Sequence, residues 1–562
     1  MSCNLFFVKN TAQPWISILI IGISFAPLLG WGQAPRFERV IEYGSPNWVR
    51  QVDMCLDSAD NLYVGGTFEE IICFSDTCLY APSQNGEDMY MVSFDSQGRF
   101  RWAKTFGEED IDWLLAMALR GNQLYITGTF QQDLTIGDST WTTANRGAFW
   151  YKFDLMGQPQ QGIELAGGNV EHIVVDLEEK VWIAGYFLND TLRVGDTVLV
   201  KDSTQVLDIF WARFNAEGEV EQAQMFGSQG TRWATNVYQM EVDSEGNLYL
   251  YAGFETNVII GPDTLWSTTN TWNQADKYLV KLSPQGEIAW SRVGTPVSEM
   301  ILDTQGRLIV TGNTNSSMTW GDSTIEAGYF LAALNADGNP DWVSQSPGIT
   351  PNLFRVTDMT VKDNRIYSQM MHHGPAVFPD TSYYVEDKIL VLRHSALTGE
   401  LVWHKEFGEA DVYETASDLL VTHHNSIVSA GSFDTDFQNY TYLDTIQVTD
   451  RYPIGGFGGW HYIGIAGPDT LLSTSLVSME KQNRLVAFPN PVHDELYISG
   501  FLMSGIASIQ LIDLHGRVIL HQDAPITRDR LCLNVQDIAS GVFLLHIHTT
   551  EINQIFRLIK QP

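Results

Sequence analysis

Two adjacent histidine pairs, His372-His373 and His423-His424, are the residues of this chain best suited to hold a transition metal, because neutral imidazole is a common metal ligand. Asp434, Asp436 and Asn439, in the stretch DTDFQN, offer oxygens of the kind calcium takes, but without the Gly and terminal Glu of an EF-hand loop. A surface turn accounts for them as well. His546 and His548 fall on one face of an alternating segment, where a packed or solvated pair is the plain reading. The chain has no HExxH, no GxSxG and no GxxxxGK, so no motif fixes a reaction. What remains is carboxylate chemistry. Two of the 67 Asp+Glu at a suitable separation could act as acid and base on a glycosidic bond. No matched pair stands out, and the expectation is no catalytic residue, no metal and no cofactor.

The elements that would position such residues show in a repeat. An Asp followed by Thr or Ser recurs at Asp76-Thr77, Asp138-Ser139, Asp196-Thr197, Asp263-Thr264, Asp322-Ser323, Asp380-Thr381 and Asp444-Thr445, with Asp spacings of 62, 58, 67, 59, 58 and 64. Four strand-like segments fall in each unit. A near-constant period of this kind predicts a β-propeller. The first segment of a unit often ends in a turn of the Asp-x-x-Gly-Asn kind, as in YQMEVDSEGN (Tyr238–Asn247) and, with Asp60 in place of Gly, VDMCLDSADN (Val52–Asn61). Those residues make tight reversals cheap. The second ends at Gly, as in LYVGGTF (Leu62–Phe68) and VWIAGYF (Val181–Phe187), which predicts a bulge or a close backbone approach. In the fourth, Phe100, Trp102 and Phe106, like Leu401, Trp403 and Phe407, share a face and should pack blade on blade. In this frame the two histidine pairs fall on opposite faces of the propeller, too far apart to share a metal.

The seventh unit supplies three strands, and Arg36–Gly44 (RFERVIEYG) repeats the pattern of Arg99–Gly107 (RFRWAKTFG). The N-terminal segment should therefore be the outer strand of the last blade, closing the ring and removing an open edge. The expected fold class is all-β: a seven-bladed β-propeller followed by a small, immunoglobulin-like C-terminal β-sandwich.

Ahead of the propeller, Ile16–Gly30 is an apolar run of 15 residues, shorter than the ~20 that span a bilayer. With Gly30-Trp31-Gly32 behind it, Met1–Gly32 is expected to be a secretory signal peptide, leaving no integral membrane segment in the mature chain. The expected layout is 1–32 signal peptide, 33–471 propeller, 472–484 linker and 485–562 tail. Export permits disulfides. Cys73 and Cys78 bracket Phe-Ser-Asp-Thr at the first hairpin tip, where a disulfide is geometrically reasonable and two free thiols fit equally. With 33 Lys+Arg against 67 Asp+Glu the net charge is −34, which disfavours nucleic acid and anionic membranes as partners.

The repeats resemble those of the SBBP family of secreted bacterial propellers, best at Asp57–Gly66 and Asp243–Gly253. The sixth unit departs most, at SQMMHHG (Ser368–Gly374). That resemblance implies architecture and export and names no common substrate. Residues 485–562 resemble the type A C-terminal sorting domain of the type IX secretion system, through Pro489, Asn490 and Pro491, then Asp513, Gly516 and Arg517, then Gly541 and Lys560. The resemblance implies type IX machinery as a partner and release to the medium or the outer surface of a Gram-negative cell. Phe543 stands where the family often has Tyr. In bacteria with that system, Asp-Ser/Thr-hydrophobic triplets accept O-glycans. Ser139, Thr197, Thr264, Ser323 and Thr445 resemble such acceptors, although turn chemistry alone also explains them.

The functional expectation is a non-catalytic binding or adhesion module for an unknown glycan or protein. The alternative is a propeller hydrolase or lyase acting on glycans, for which a clustered pair of carboxyls with raised pKa would be the mark.

Overall fold

Short turns set the register of the larger unit. Asp57, Asp95, Asp154, Asp176, Asp243 and Asp303 each use Oδ1 to accept the amides two and four residues on. The amide at the fourth position of each turn donates back to the first carbonyl. One side chain thereby satisfies amides that a bare reversal would leave open. Six turns of this kind lie between antiparallel strands and fix where each hairpin reverses.

The computed structural model describes residues 36–468 and 486–560, apart from 46, 75–76, 83–85, 109, 202–206, 230–235, 269–275, 347–353, 373–374, 378–381, 385–387, 408–412, 435–439, 444–445, 450–459, 489–494, 500–505, 514–516, 526–529, 537 and 549–552. The chain divides into two units, Met1–Leu471 and Leu472–Pro562. The expected signal peptide and linker lie outside the described residues, as do Asp436 and Asn439 of the DTDFQN stretch, His373, Thr445 and the Pro489–Pro491 motif.

Among the described residues, the larger unit contains seven sheets with a four-stranded antiparallel core. Their inner strands, blades one to seven, are Val49–Leu56, Trp113–Arg120, Gly168–Val175, Val237–Val242, Val297–Leu302, Phe354–Lys362 and Tyr413–Val421. Each inner strand touches the next, and the seventh touches the first. The fourth strand of blade seven is Phe37–Gly44, paired along its length with Trp460–Pro468. The larger unit is a closed propeller, sealed by its N-terminal strand.

The Asp-Thr/Ser hairpins do more than cap their own blades. Ile71–Phe74 pairs with Phe37–Gly44, Thr191–Val194 with Pro159–Ala166, and Asn257–Ile260 with Val220–Gln229. In each case the hairpin of one blade extends the outer strand of the blade before it. The first of these hairpins carries the Cys73–Cys78 disulfide and grips the N-terminal strand.

Every inner strand carries a register shift near its middle, at Val52, Leu115, Glu171, Tyr238, Ser298, Thr357 and Ser417-Asp418. In blades one, two, three and five a glycine of the second strand lies opposite, whereas blades four and six have Ala252 and Met370 there. A Cβ at Gly66, Gly128, Gly185 or Gly312 would overlap the carbonyl oxygen of Arg50, Trp113, Asn169 or Pro296. At these four positions the bulge turns that carbonyl toward the neighbouring strand and leaves no room for a Cβ.

Apolar cores lie between blades. One joins Tyr43, Ile463 and Ala430 of blade seven to Met54, Val64 and Tyr90 of blade one. The outer aromatics follow the expected face only in part. Arg101 is unpaired in the ladder, so Phe100 pairs with Phe94 and stays 37 % exposed, while Trp102 packs near Tyr63. In the smaller unit, a three-stranded sheet (Val486–Phe488, Glu495–Ser499, Arg530–Asn534) and a four-stranded sheet (Ile506–Asp513, Val518–Pro525, Gly541–His548, Asn553–Lys560) share a core of Leu496, Leu533, Ile509, Leu511, Leu545, Ile547 and Leu558.

Candidate functional site at the inner-strand bulges

The residue after each bulge occupies one equivalent position around the ring: Asp53, Ala116, His172, Gln239, Glu299, Asp358 and, at the double bulge of blade seven, Asp418. Blades five, six, seven and one thus present four carboxyl groups side by side. Asp53 Oδ1 accepts its own following amide, Met54, at 2.8 Å, and Oδ2 accepts that of Met117 on blade two at 2.8 Å. Asp358 repeats the arrangement with Met359 at 2.7 Å and Leu419 on blade seven at 2.5 Å. Gln239 does the same on blade four, accepting the Met300 amide of blade five through Oε1 and donating from Nε2 to Glu299. The ring position is a clasp from one blade to the next.

At the seam between blades seven and one, the Tyr43 hydroxyl donates to Gln51 Oε1. Gln51 Nε2 donates to Asp418 Oδ2 at 2.5 Å and to the Ser417 hydroxyl at 3.2 Å. This chain ties the N-terminal strand to both blades it must join.

Burial pushes all four carboxyls upward, and the proximity of Asp418 adds to the rise at Asp53 and Asp358. Glu299 is held up to about 8 by burial, against the pull of Arg355 and the Gln239 hydrogen bond. Glu171 rises to about 7 and Glu241 to about 8, again by burial. His172, on the same ring, is pushed down to about 4 by burial and donates from Nε2 to the Val237 carbonyl at 3.1 Å. The ring can therefore store protons near neutral pH. Two of its carboxyls already have both oxygens engaged by backbone amides.

His372 and the His423-His424 pair lie on the elements where the sequence puts them. His372 ends the second strand of blade six, buried, with Nε2 2.9 Å from Glu406 Oε1. His423 and His424 sit in the turn between the first two strands of blade seven. Their Nδ1 atoms reach Asp60 of blade one at 2.9 and 2.7 Å, and the His423 amide donates to the same carboxylate at 2.6 Å. Asp60 thus staples the seam from the opposite face. Among the described residues, no group of three or more His, Cys, Asp or Glu is arranged to hold a metal. Ser139, Thr197, Thr264 and Ser323 all stand at hairpin reversals, where Thr264 is exposed and the other three are half-buried. In the tail, His546 and His548 face away from the core, Gly541 opens its strand, and Lys560 ends the last one, buried. Asp513 closes the strand Ile506–Asp513, and Gly516 lies outside the described residues.

The carboxyl ring is not singled out by motif scanning. Its signal is a polar residue directly before Met or Leu inside the first strand of a unit: Asp53-Met54, Gln239-Met240, Glu299-Met300, Asp358-Met359 and Asp418-Leu419. Aligning the units on their turns would have exposed it.

Residues 486–561 match the family described as the secretion system C-terminal sorting domain. No curated protein matches the chain. Among solved structures, the chain is similar to the Dos1 propeller (9% identity over 74% of this chain and 78% of that one, TM-score 0.36). It is also similar to a putative 6-phosphogluconolactonase from Bacteroides fragilis (9%, 65% and 89%, TM-score 0.34) and to the endosialidase of phage phi92 (10%, 93% and 88%, TM-score 0.36). None of the three reaches a TM-score of 0.5, and the propeller rests on the strand order and ring contacts above. The tail is a type IX address, and it directs the protein to the cell surface or the extracellular space.

Proposed function

We propose that this type IX-exported propeller is a non-catalytic binding or adhesion module, presenting its loops to an extracellular glycan or protein. In this reading Met1–Gly32 takes the chain across the inner membrane and residues 33–471 do the binding. The tail 485–562 is the address, read through Pro489, Asn490, Pro491, Asp513, Gly516, Gly541 and Lys560. Cleavage in the linker 472–484 would release the body or leave it attached to the cell.

The supporting observation is the use made of the ring carboxyls. Asp53 and Asp358 each accept two backbone amides, one from the next blade, so the groups best placed for acid–base work are occupied in holding the ring. One observation favours the hydrolase alternative: Asp418 and Glu299 have raised pKa values and accept from side chains, Ser417 and Gln51 for the first and Gln239 for the second, as a general acid could.

A glycan array probed with the full chain, with product analysis by mass spectrometry in the same wells, separates the two. Retention without product is the expected result. Product would overturn the binding reading and direct attention to Asp418 and Glu299. The hydroxyls of Ser139, Thr197, Thr264, Ser323 and Thr445 are proposed O-glycan acceptors. Intact-mass analysis of the exported protein should show added hexose-type mass on peptides carrying them, and bare peptides would end that proposal.

A further inference from the structure

We propose that the Cys73–Cys78 disulfide is a redox lock on ring closure: oxidised, its hairpin clamps the N-terminal strand into blade seven, and reduction releases that strand. The three hairpins that extend the outer strand of the preceding blade differ in what they hold. Pro159–Ala166 and Val220–Gln229 are each continuous with the third strand of their own blade, through tight turns at 154–158 and 215–219. Phe37–Gly44 has no such turn, because its third strand, Trp460–Pro468, lies at the far end of the propeller sequence. Where the turn would be, the Gly467 amide donates to the Arg36 carbonyl at 2.8 Å. The hairpins at 191–200 and 257–266 contain no cysteine, and the hairpin on Phe37–Gly44 carries the disulfide. The extra covalent bond falls at the one latch of the three whose strand lacks a covalent tie to its blade.

The bond also sits on the contact that does the gripping. Cys73 lies opposite Gly44 on one side and opposite Cys78 on the other. The next residue, Phe74, pairs with Tyr43 and stacks on its ring with centroids 5.5 Å apart, both buried between blades seven and one. Tyr43 begins the chain through Gln51 to Asp418, so the rest of the seam hangs on the same strand. Ile71–Phe74 and Thr77–Tyr80 are strands of four residues, and a two-stranded hairpin is marginal by itself. Cys78 is exposed and Cys73 buried, so a thiolate reaches the bond from the Cys78 side. It bonds to the Cys78 sulfur, the sulfur–sulfur bond breaks, and Cys73 leaves as a thiolate that takes up a proton. With dithiothreitol, the second thiol of the reagent then displaces Cys78, and the reagent ends as its cyclic disulfide. An exported chain meets oxidising surroundings, which keep the lock shut.

The test is hydrogen exchange on the full chain, folded in the oxidised form and then treated with dithiothreitol, with mass spectrometry confirming that the peptide holding Cys73 and Cys78 gains two hydrogens. The amides of Phe37–Gly44 should exchange at least about tenfold faster after reduction, as expected when a disulfide no longer restrains a local opening. Those of Gly168–Val175 in blade three should not change. The double variant Cys73→Ser, Cys78→Ser should match the reduced protein and respond no further to dithiothreitol. If that variant fails to fold, the wild type reduced after folding carries the comparison alone. Unchanged exchange at Phe37–Gly44 in the reduced protein would overturn the lock. Equal acceleration in every blade would overturn it too, since the disulfide would then be a general brace. So would a folded protein that dithiothreitol cannot reduce.

Discussion

Replacing Gly185 or Gly312 by Ala should destabilise the propeller by about 3 kcal/mol each, at the upper end of what overpacking costs. The added Cβ would overlap the carbonyl of Asn169 or Pro296, which is backbone at an inner-strand bulge and cannot swing aside as a side chain would. The bulge also places the next residue of that strand on the clasp ring, so the strain should spread to the neighbouring blade. Gly306→Ala is the informative control. Its φ is +75°, and nothing lies within 4 Å of the added atom. It should cost only the left-handed backbone penalty, about 1 kcal/mol. Denaturant midpoints for the three variants should rank accordingly. Equal losses at all three positions would mean that the second-strand glycines serve turn-like conformational freedom and that close approach is not their reason.

Those glycines illustrate what could be read in the sequence. Their recurrence predicts a close approach or a bulge, because glycine inside a β-rich segment has few other uses. The partner of that approach could not be read, since it depends on the register between two strands and no short window encodes register. The split blade was legible because Arg36–Gly44 repeats a pattern seen at Arg99–Gly107. The hairpin latches were not, because pairing Thr191–Val194 with Pro159–Ala166 is a contact between blades that local alternation cannot express. The same limit hid the site. Asp53 and Asp418 are 365 positions apart in the chain, and their proximity exists only once the ring has closed. Asp60 is a further case: as a residue in a turn it looks like ordinary reversal chemistry, and only closure brings His423 and His424 onto it.

The stability of the propeller should fall as pH rises from about 5 to about 8. Glu241 and Glu299 are raised to about 8 in the fold, and Glu171 and Asp53 to about 7, all chiefly by burial. In the unfolded chain such groups titrate near 4. Between these limits the folded state binds more protons than the unfolded one, so each unit of pH removes stability. The contribution is complete below about pH 4 and lost as pH passes through 7 to 8. Asp60 and Asp95 act in the opposite sense. Their hydrogen bonds, from His423 and His424 and from Arg99, outweigh burial and lower their pKa values, so what they contribute is lost only in stronger acid. Buried His172, His394 and His461, pushed down to about 4, 3 and 4, oppose the trend between about pH 4 and 6.5, but they are outnumbered by the raised carboxyls. One pKa unit is worth about 1.4 kcal/mol, and relaxation of a charged interior recovers much of that, so the summed loss from pH 5 to 8 should be on the order of 3 kcal/mol. Glu241→Gln isolates the effect, because burial is the sole cause of the Glu241 shift. The variant should match the wild type at pH 5 and exceed it at pH 8, in denaturant titrations at both values. If Glu241→Gln loses the same stability at pH 5 and pH 8, Glu241 is ionised and paired in the fold, and the inner ring does not store protons.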